Sequence, residues 1–215
     1  VNNEIRADQA CDLADLLQGS SCLRELYLCE NELGDEGVKT LTDGVLGSTS
    51  LHTLDLRSND ITPNAALSLQ GMIVSSQFLV KLNLGGNELG NLGATALARG
   101  LQHPNCVLQK LDLSENGIDK AGTFALASML RTNRYLEELN LGLNAGGDEG
   151  ATAVACSLEW NSTLRSLSLR RNGISIVGAV AFANKLPNMN GLKELVLVNN
   201  SIDHAGAAAL LQGLR

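Results

Sequence analysis

Leu79-Val80-Lys81-Leu82-Asn83-Leu84-Gly85-Gly86-Asn87-Glu88-Leu89 decides the fold of this 215-residue chain. It spells L-x-x-L-x-L-x-x-N-x-L, and the same spacing recurs from Leu23, Leu51, Leu108, Leu136, Leu164 and Leu192 at intervals of 28 or 29 residues. A period held over seven units marks a solenoid, in which each unit buries its apolar face against the next. Within a unit the L-x-L core alternates, so its leucines face one side and the residues between them the other, as in a short half-buried strand. Asn31, Asn59, Asn87, Asn116, Asn144, Asn172 and Asn200 stand where the chain leaves that strand, and a short amide there can satisfy turn backbone groups.

Beyond each Asn the apolar period changes to about 3.6, as in Gly93, Ala94, Leu97 and Leu101, which predicts a returning helix. Gly37, Gly93, Gly122, Gly150, Gly178 and Gly206 fall six residues after the Asn, with Ala65 in the second unit. A larger side chain there is expected to obstruct the approach of helix to sheet. Strands joined through helices pair in parallel. Because strands stack about 4.8 Å apart and helices about 8–10 Å, the array must bend, with the sheet inside. The expected fold class is therefore an α/β solenoid, a horseshoe with a parallel sheet on its concave face and helices on its convex face. It is read as one array over residues 1–215, a partial unit 1–22 followed by units starting at 23, 51, 79, 108, 136, 164 and 192. Asn3 and Ile5 lie 28 residues before Asn31 and Leu33, so the chain opens inside a unit whose strand is missing, and the array is expected to be a section of a longer protein.

The L-x-x-L-x-L-x-x-N-x-[LI] strand, the glycine-led helix and the 28–29-residue period resemble the ribonuclease-inhibitor class of leucine-rich repeats. Leu101-Gln102-His103-Pro104-Asn105-Cys106, followed by Leu108-Gln109-Lys110-Leu111, is similar to a phrase of NOD-like receptor repeats. Asn rather than Cys closes every strand, which argues against ribonuclease inhibition itself. The resemblance implies a cytoplasmic, non-catalytic scaffold that senses a ligand or holds the inhibited domains of an innate immune receptor. The alternatives it leaves open are a GTPase activator similar to the Ran-activating family and a cytoskeletal array like tropomodulin or CARMIL.

Composition narrows the partner. Lys and Arg number 16 against 23 Asp and Glu, a net charge of -7, and the basic residues are scattered, which disfavours nucleic acid. No run approaches the roughly 18 apolar residues of a membrane span, and Val1-Asn2-Asn3-Glu4 is not an export leader. Cys11, Cys22, Cys29, Cys106 and Cys156 are odd in number and irregular in spacing, so most are expected to be small core residues rather than disulfides or zinc ligands. His52, His103 and His204 occupy different places in the repeat and suggest no shared centre. Asp35-Glu36 and Asp148-Glu149 are expected to cap the helices they begin. Gly85-Gly86-Asn87 lacks the G-K-[ST] ending of a nucleotide loop, and Trp160 is expected to pack. No cofactor, metal or catalytic residue is expected.

What remains is the concave face, whose side chains alternate with the strand leucines and vary from unit to unit. Its candidate partner-binding residues are Tyr27, Asp55, Arg57, Asn83, Lys110, Asp112, Glu138, Asn140, Arg170 and Arg171. Tyr27 is the one aromatic among them, a rigid amphipathic anchor, and the arginines can grip carboxylates in two-pronged fashion. The expected partner is another protein, with the array itself monomeric.

Overall fold

The computed structural model describes residues 3–214; Val1 and Asn2, on which the expectation about an export leader partly rests, and Arg215 lie outside the described residues. Helices and strands alternate: α1 (Ala10–Gly19), β1 (Glu25–Tyr27), α2 (Gly34–Gly47), β2 (Thr53–Asp55), a 3-10 turn (Pro63–Ala65) leading into α3 (Ala66–Ser75), β3 (Lys81–Asn83), α4 (Gly90–Leu101), β4 (Lys110–Asp112), α5 (Lys120–Leu130), β5 (Glu138–Asn140), α6 (Gly147–Leu158), β6 (Ser166–Ser168), α7 (Ile176–Lys185), a second 3-10 turn (Leu186–Asn188), β7 (Glu194–Val196) and α8 (His204–Gly213). The seven strands form one open parallel sheet in sequence order.

Register is set by the leucines. Leu26, Leu54, Leu82, Leu111, Leu139, Leu167 and Leu195 pair in succession across the sheet, each beside its equivalent. Behind them Leu56, Leu84, Leu113, Leu141 and Leu169 are buried against helix residues such as Leu41, Leu69, Leu97, Leu126 and Val154. Each such side chain contributes roughly 1.5–3 kcal/mol by leaving water. The core is thus a ribbon between sheet and helices, and the opposite face of the sheet is left open.

The strand-closing asparagines tie neighbouring units together. Asn116 is fully buried; its amide donates to Leu84 O at 2.8 Å and Ser114 O at 2.9 Å, while its oxygen accepts from Leu89 N–H at 3.3 Å. Asn144 donates to Leu113 O and accepts from the amides of Asn116 and Ile118 at 3.1 and 3.0 Å. One carboxamide therefore satisfies backbone groups from two units that would otherwise be buried unpaired.

Two kinds of unit alternate, which the uniform period concealed. Asn31, Asn87, Asn144 and Asn200 each accept two amides from the preceding unit, whereas Asn59, Asn116 and Asn172 each accept one. In three of the first kind the chain turns through a left-handed glycine three residues later: Gly34, Gly90 and Gly147 have φ of 56°, 54° and 60° and donate to Asn59 O, Asn116 O and Asn172 O, whereas after Asn200 that place is taken by Asp203 with φ of -81°. In the second kind the left-handed residue comes directly after the Asn, at Asp60, Gly117 and Gly173. The structural repeat is a pair of units, 56 or 57 residues long.

Four expectations are corrected. The acids that open α2 and α6 do not cap those helices, whose first amides receive no side-chain acceptor. Asp35 reaches the next unit, accepting from Thr62 N–H at 2.8 Å and Thr62 Oγ1 at 2.6 Å. Asp148 likewise accepts from the amide and hydroxyl of Ser175 and from Gly178 N–H at 2.8 Å, and Asn91 does the same for Asp119 and Gly122. The glycines six residues after the Asn are small for a related reason. A Cβ on Gly178 would lie 2.6 Å from Ile174 Cγ2 of its own turn, 2.8 Å from Asp148 Oδ1 and 3.1 Å from Ala151 Cβ, so the obstruction is to the apolar residue that leads into the helix and to the neighbouring helix with its bridging carboxylate, not to a strand. Of the cysteines only Cys29 and Cys106 are buried, and Trp160, beyond the end of α6, is 64% exposed instead of packed.

Replacing Asn116 by Ala leaves these backbone partners unsatisfied and is expected to cost roughly 2–3 kcal/mol in denaturant unfolding, more than the same change at half-buried Asn200. Burial pushes the Asp148 carboxyl up, but the hydrogen bonds from Ser175 and Gly178 outweigh it and hold the pKa below its ordinary value. A lowered folded pKa gives stability that is complete above the unfolded value of about 3.9 and is lost as pH falls through the folded value. Unfolding curves measured across this acid range should show a shallower loss of stability in Asp148→Asn than in the wild type.

Candidate partner-binding face

On the open face of the sheet the strands present the row that lies between their leucines: Tyr27, Asp55, Asn83, Asp112, Asn140, Ser168 and Val196 sit in register across the seven strands. Four of these side chains turn back on their own strand ends. Asp55, Asn83, Asp112 and Asn140 each accept from the amide two residues on, of Arg57, Gly85, Ser114 and Gly142, at 2.8–3.0 Å. They compete with water for the last amides of very short strands, a role period alone does not reveal. Asp55 is only 8% exposed as a result, and Asn140 Nδ2 spends a donor on Asp112 Oδ2 at 2.8 Å.

The sequence-derived residues fall into three groups. Tyr27 and Arg57 lie at the β1–β2 end beside Asp55; the Tyr27 hydroxyl donates to Glu25 at 2.8 Å, and Arg57 Nη2 lies 3.9 Å from Asp55 Oδ2. The hydrogen bond to Glu25 raises the Tyr27 phenol above its ordinary pKa. In the middle, Asn83, Lys110, Asp112, Glu138 and Asn140 line a hollow of about 340 Å³, floored by Leu82, Leu111 and Leu139. There Lys110 Nζ pairs with Glu138 Oε1 at 2.6 Å. Arg170 and Arg171 follow β6 at the far end, four strand spacings from Arg57, on the order of 19 Å.

The hollow also includes Lys81, Ser166 and Ser168, which were not among the expected residues although they stand in the same alternating rows. Their strand positions were legible; what was not is which strands the hollow would span. Arranged this way, the face offers separate positive, negative and amide groups over a leucine floor, suited to reading a polypeptide surface rather than enclosing a small substrate.

A leucine-rich-repeat model matches six stretches of the sequence, residues 19–41, 47–69, 75–98, 105–127, 132–155 and 161–183. The chain belongs to the leucine-rich-repeat family. Each matched stretch of this leucine-rich-repeat protein runs through one strand and into the helix that follows it, so family pattern and structural unit coincide. No curated protein matches the chain. Among solved structures it is similar to Leiomodin-1 Actin-Binding Site 2, at 20% identity and a TM-score of 0.49 over 61% of this chain and 80% of that one. Among the described residues no helix is long and apolar enough to cross a membrane.

In a Tyr135→Phe background, spectrophotometric titration should place the Tyr27 phenol above the ordinary value of about 10, and Glu25→Ala should bring it back down.

Proposed function

We propose that this leucine-rich-repeat array is a non-catalytic protein-recognition scaffold whose concave face holds another protein. It acts in the cytoplasm, in the manner of the ligand-sensing or autoinhibitory repeat region of a NOD-like innate immune receptor. The observation that carries the reading is the pairing of an unvarying leucine ladder with an open face whose residues change from strand to strand: the row between the leucines reads Tyr27, Asp55, Asn83, Asp112, Asn140, Ser168 and Val196, and the row before it Glu25, Thr53, Lys81, Lys110, Glu138, Ser166 and Glu194. The frame is constant, so the pattern of side chains can encode one partner. The acidic balance favours a protein over nucleic acid.

Recognition on this face requires no covalent step. Tyr27 supplies a half-exposed aromatic anchor, the Lys110–Glu138 pair offers both signs of charge, and Arg57, Arg170 and Arg171 supply planar donors for carboxylates. Asp55, Asp112 and Asn140 act mainly by holding the strand ends that carry these groups.

Affinity capture with the wild-type array, read by mass spectrometry, tests this. A partner should be retained by a convex variant, Glu36→Ala with Thr95→Ala, and lost from the triple variant Tyr27→Ala, Arg57→Ala, Arg170→Ala. A partner lost only with the convex variant would overturn the assignment to the sheet.

A further inference from the structure

We propose that the end of the concave face around β6 and β7 docks an extended protein segment in which carboxylates alternate with aliphatic side chains. This deepens, and rests on, the reading of the sheet as the partner-binding face.

Charge distribution points there first. Between residues 161 and 200 the chain carries Arg165, Arg170, Arg171, Lys185 and Lys193 against a single acid, Glu194, although the chain as a whole stands at -7. Several of these groups are already engaged. Lys185 pairs with Glu159 at 2.8 Å, Arg165 donates to Gly191 O at 3.0 Å, and Glu194 accepts from the Ser166 hydroxyl. Among the described residues, Arg170 and Arg171 make no ion pair, and both are exposed. Two adjacent guanidinium groups without carboxylates, on a protein rich in carboxylates, call for acids from outside.

Apolar surface flanks them. Val198 is 56% exposed, Leu143 is 38% exposed, and Val196 is half-buried on β7. The turns that carry these groups are stacked, because Leu143 N–H donates to Arg170 O at 2.7 Å and Arg171 N–H donates to Val198 O at 3.0 Å. Gly142 adds no side chain beside Arg170, whose Cβ would stand 3.5 Å from a methyl placed there, so the surface is recessed between Leu143 and the arginine. Leu143 occupies the left-handed position just before the strand-closing Asn that every unit uses, where Glu30, Ser58, Gly86, Glu115, Arg171 and Asn199 stand in the other units, so the aliphatic side chain at this turn is particular to the fifth unit although the backbone conformation is not.

The combination selects the occupant. Aliphatic side chains set against Leu143 and Val198 would exclude water around the guanidinium groups and so strengthen their grip on carboxylates. A polyanion such as nucleic acid or an acidic membrane would need positive charge over a wider area. It would instead meet Asp112, Glu115 and Glu138 within a few strands.

The test uses the full chain and a labelled peptide, Gly-Ser-Asp-Ile-Asp-Leu-Glu-Ser-Gly, followed by fluorescence anisotropy. Binding should weaken with added salt and fall at least tenfold in Arg170→Ala with Arg171→Ala. It should fall similarly in Val198→Asp, remain near wild type in Arg99→Ala, which removes an exposed cation from helix α4, and be partly kept in Arg170→Lys with Arg171→Lys. Circular dichroism of each variant separates lost binding from lost fold. Peptides with Lys in place of the acids, or Ser in place of Ile and Leu, should not bind. Equal binding by the double alanine variant, no binding by the wild type, or binding only to phosphatidylserine vesicles would overturn the proposal. If a partner captured on the concave face is indifferent to Arg170 and Arg171 but sensitive to Tyr27 and Arg57, this docking fails while the general reading of the sheet stands.

Discussion

Everything in this molecule depends on a single carboxamide per unit closing its strand against the next. The strands are only three residues long, too short to hold together by ladder hydrogen bonds alone. Asn59, Asn87, Asn116 and Asn144 each bind backbone groups on both sides of a unit boundary, so no unit can leave the stack without exposing several buried polar groups. Around this polar spine the leucine ladder supplies the apolar driving force, and together they fix a rigid sheet.

A second line of bridges runs along the helix side. Asp35, Asn91 and Asp148 each reach one unit forward to the start of the following helix, and the small glycine in that helix, Gly122 or Gly178, makes room for the bridging oxygen. The array is therefore clamped at the strand ends and again at the helix starts. This leaves the open face of the sheet free to vary in chemistry without loss of fold, which is the physical basis for assigning recognition to it.

That face is not uniformly available. Asp55 and Asp112 are largely committed to the strand ends, while Tyr27, Lys81, Arg57, Arg170 and Arg171 project from them. A structural and a recognition role thus alternate along the same strands. The charged partners lie in separate patches: the Lys110–Glu138 pair is central, and the unpaired arginines stand beside Leu143 and Val198 at one end.

The sequence by itself determined the unit, because leucine spacing and asparagine position are local in the chain: strand, turn, helix, parallel pairing and the inward leucines all follow from a 28-residue period and two hydrophobic periodicities. It also placed Tyr27, Asp55, Asn83, Asp112, Asn140, Ser168 and Val196 in one row between the strand leucines. Contacts between residues some 28 positions apart were decided only by the tertiary structure, because no local pattern specifies them. These include the alternation of two kinds of turn, the reach of Asp35 and Asp148 into the next unit, the partial burial of Asp55, and the exposure of Trp160. Which side chains stand together on the open face belongs to the same class, since adjacency across a sheet is a property of stacked strands and not of neighbours in the chain.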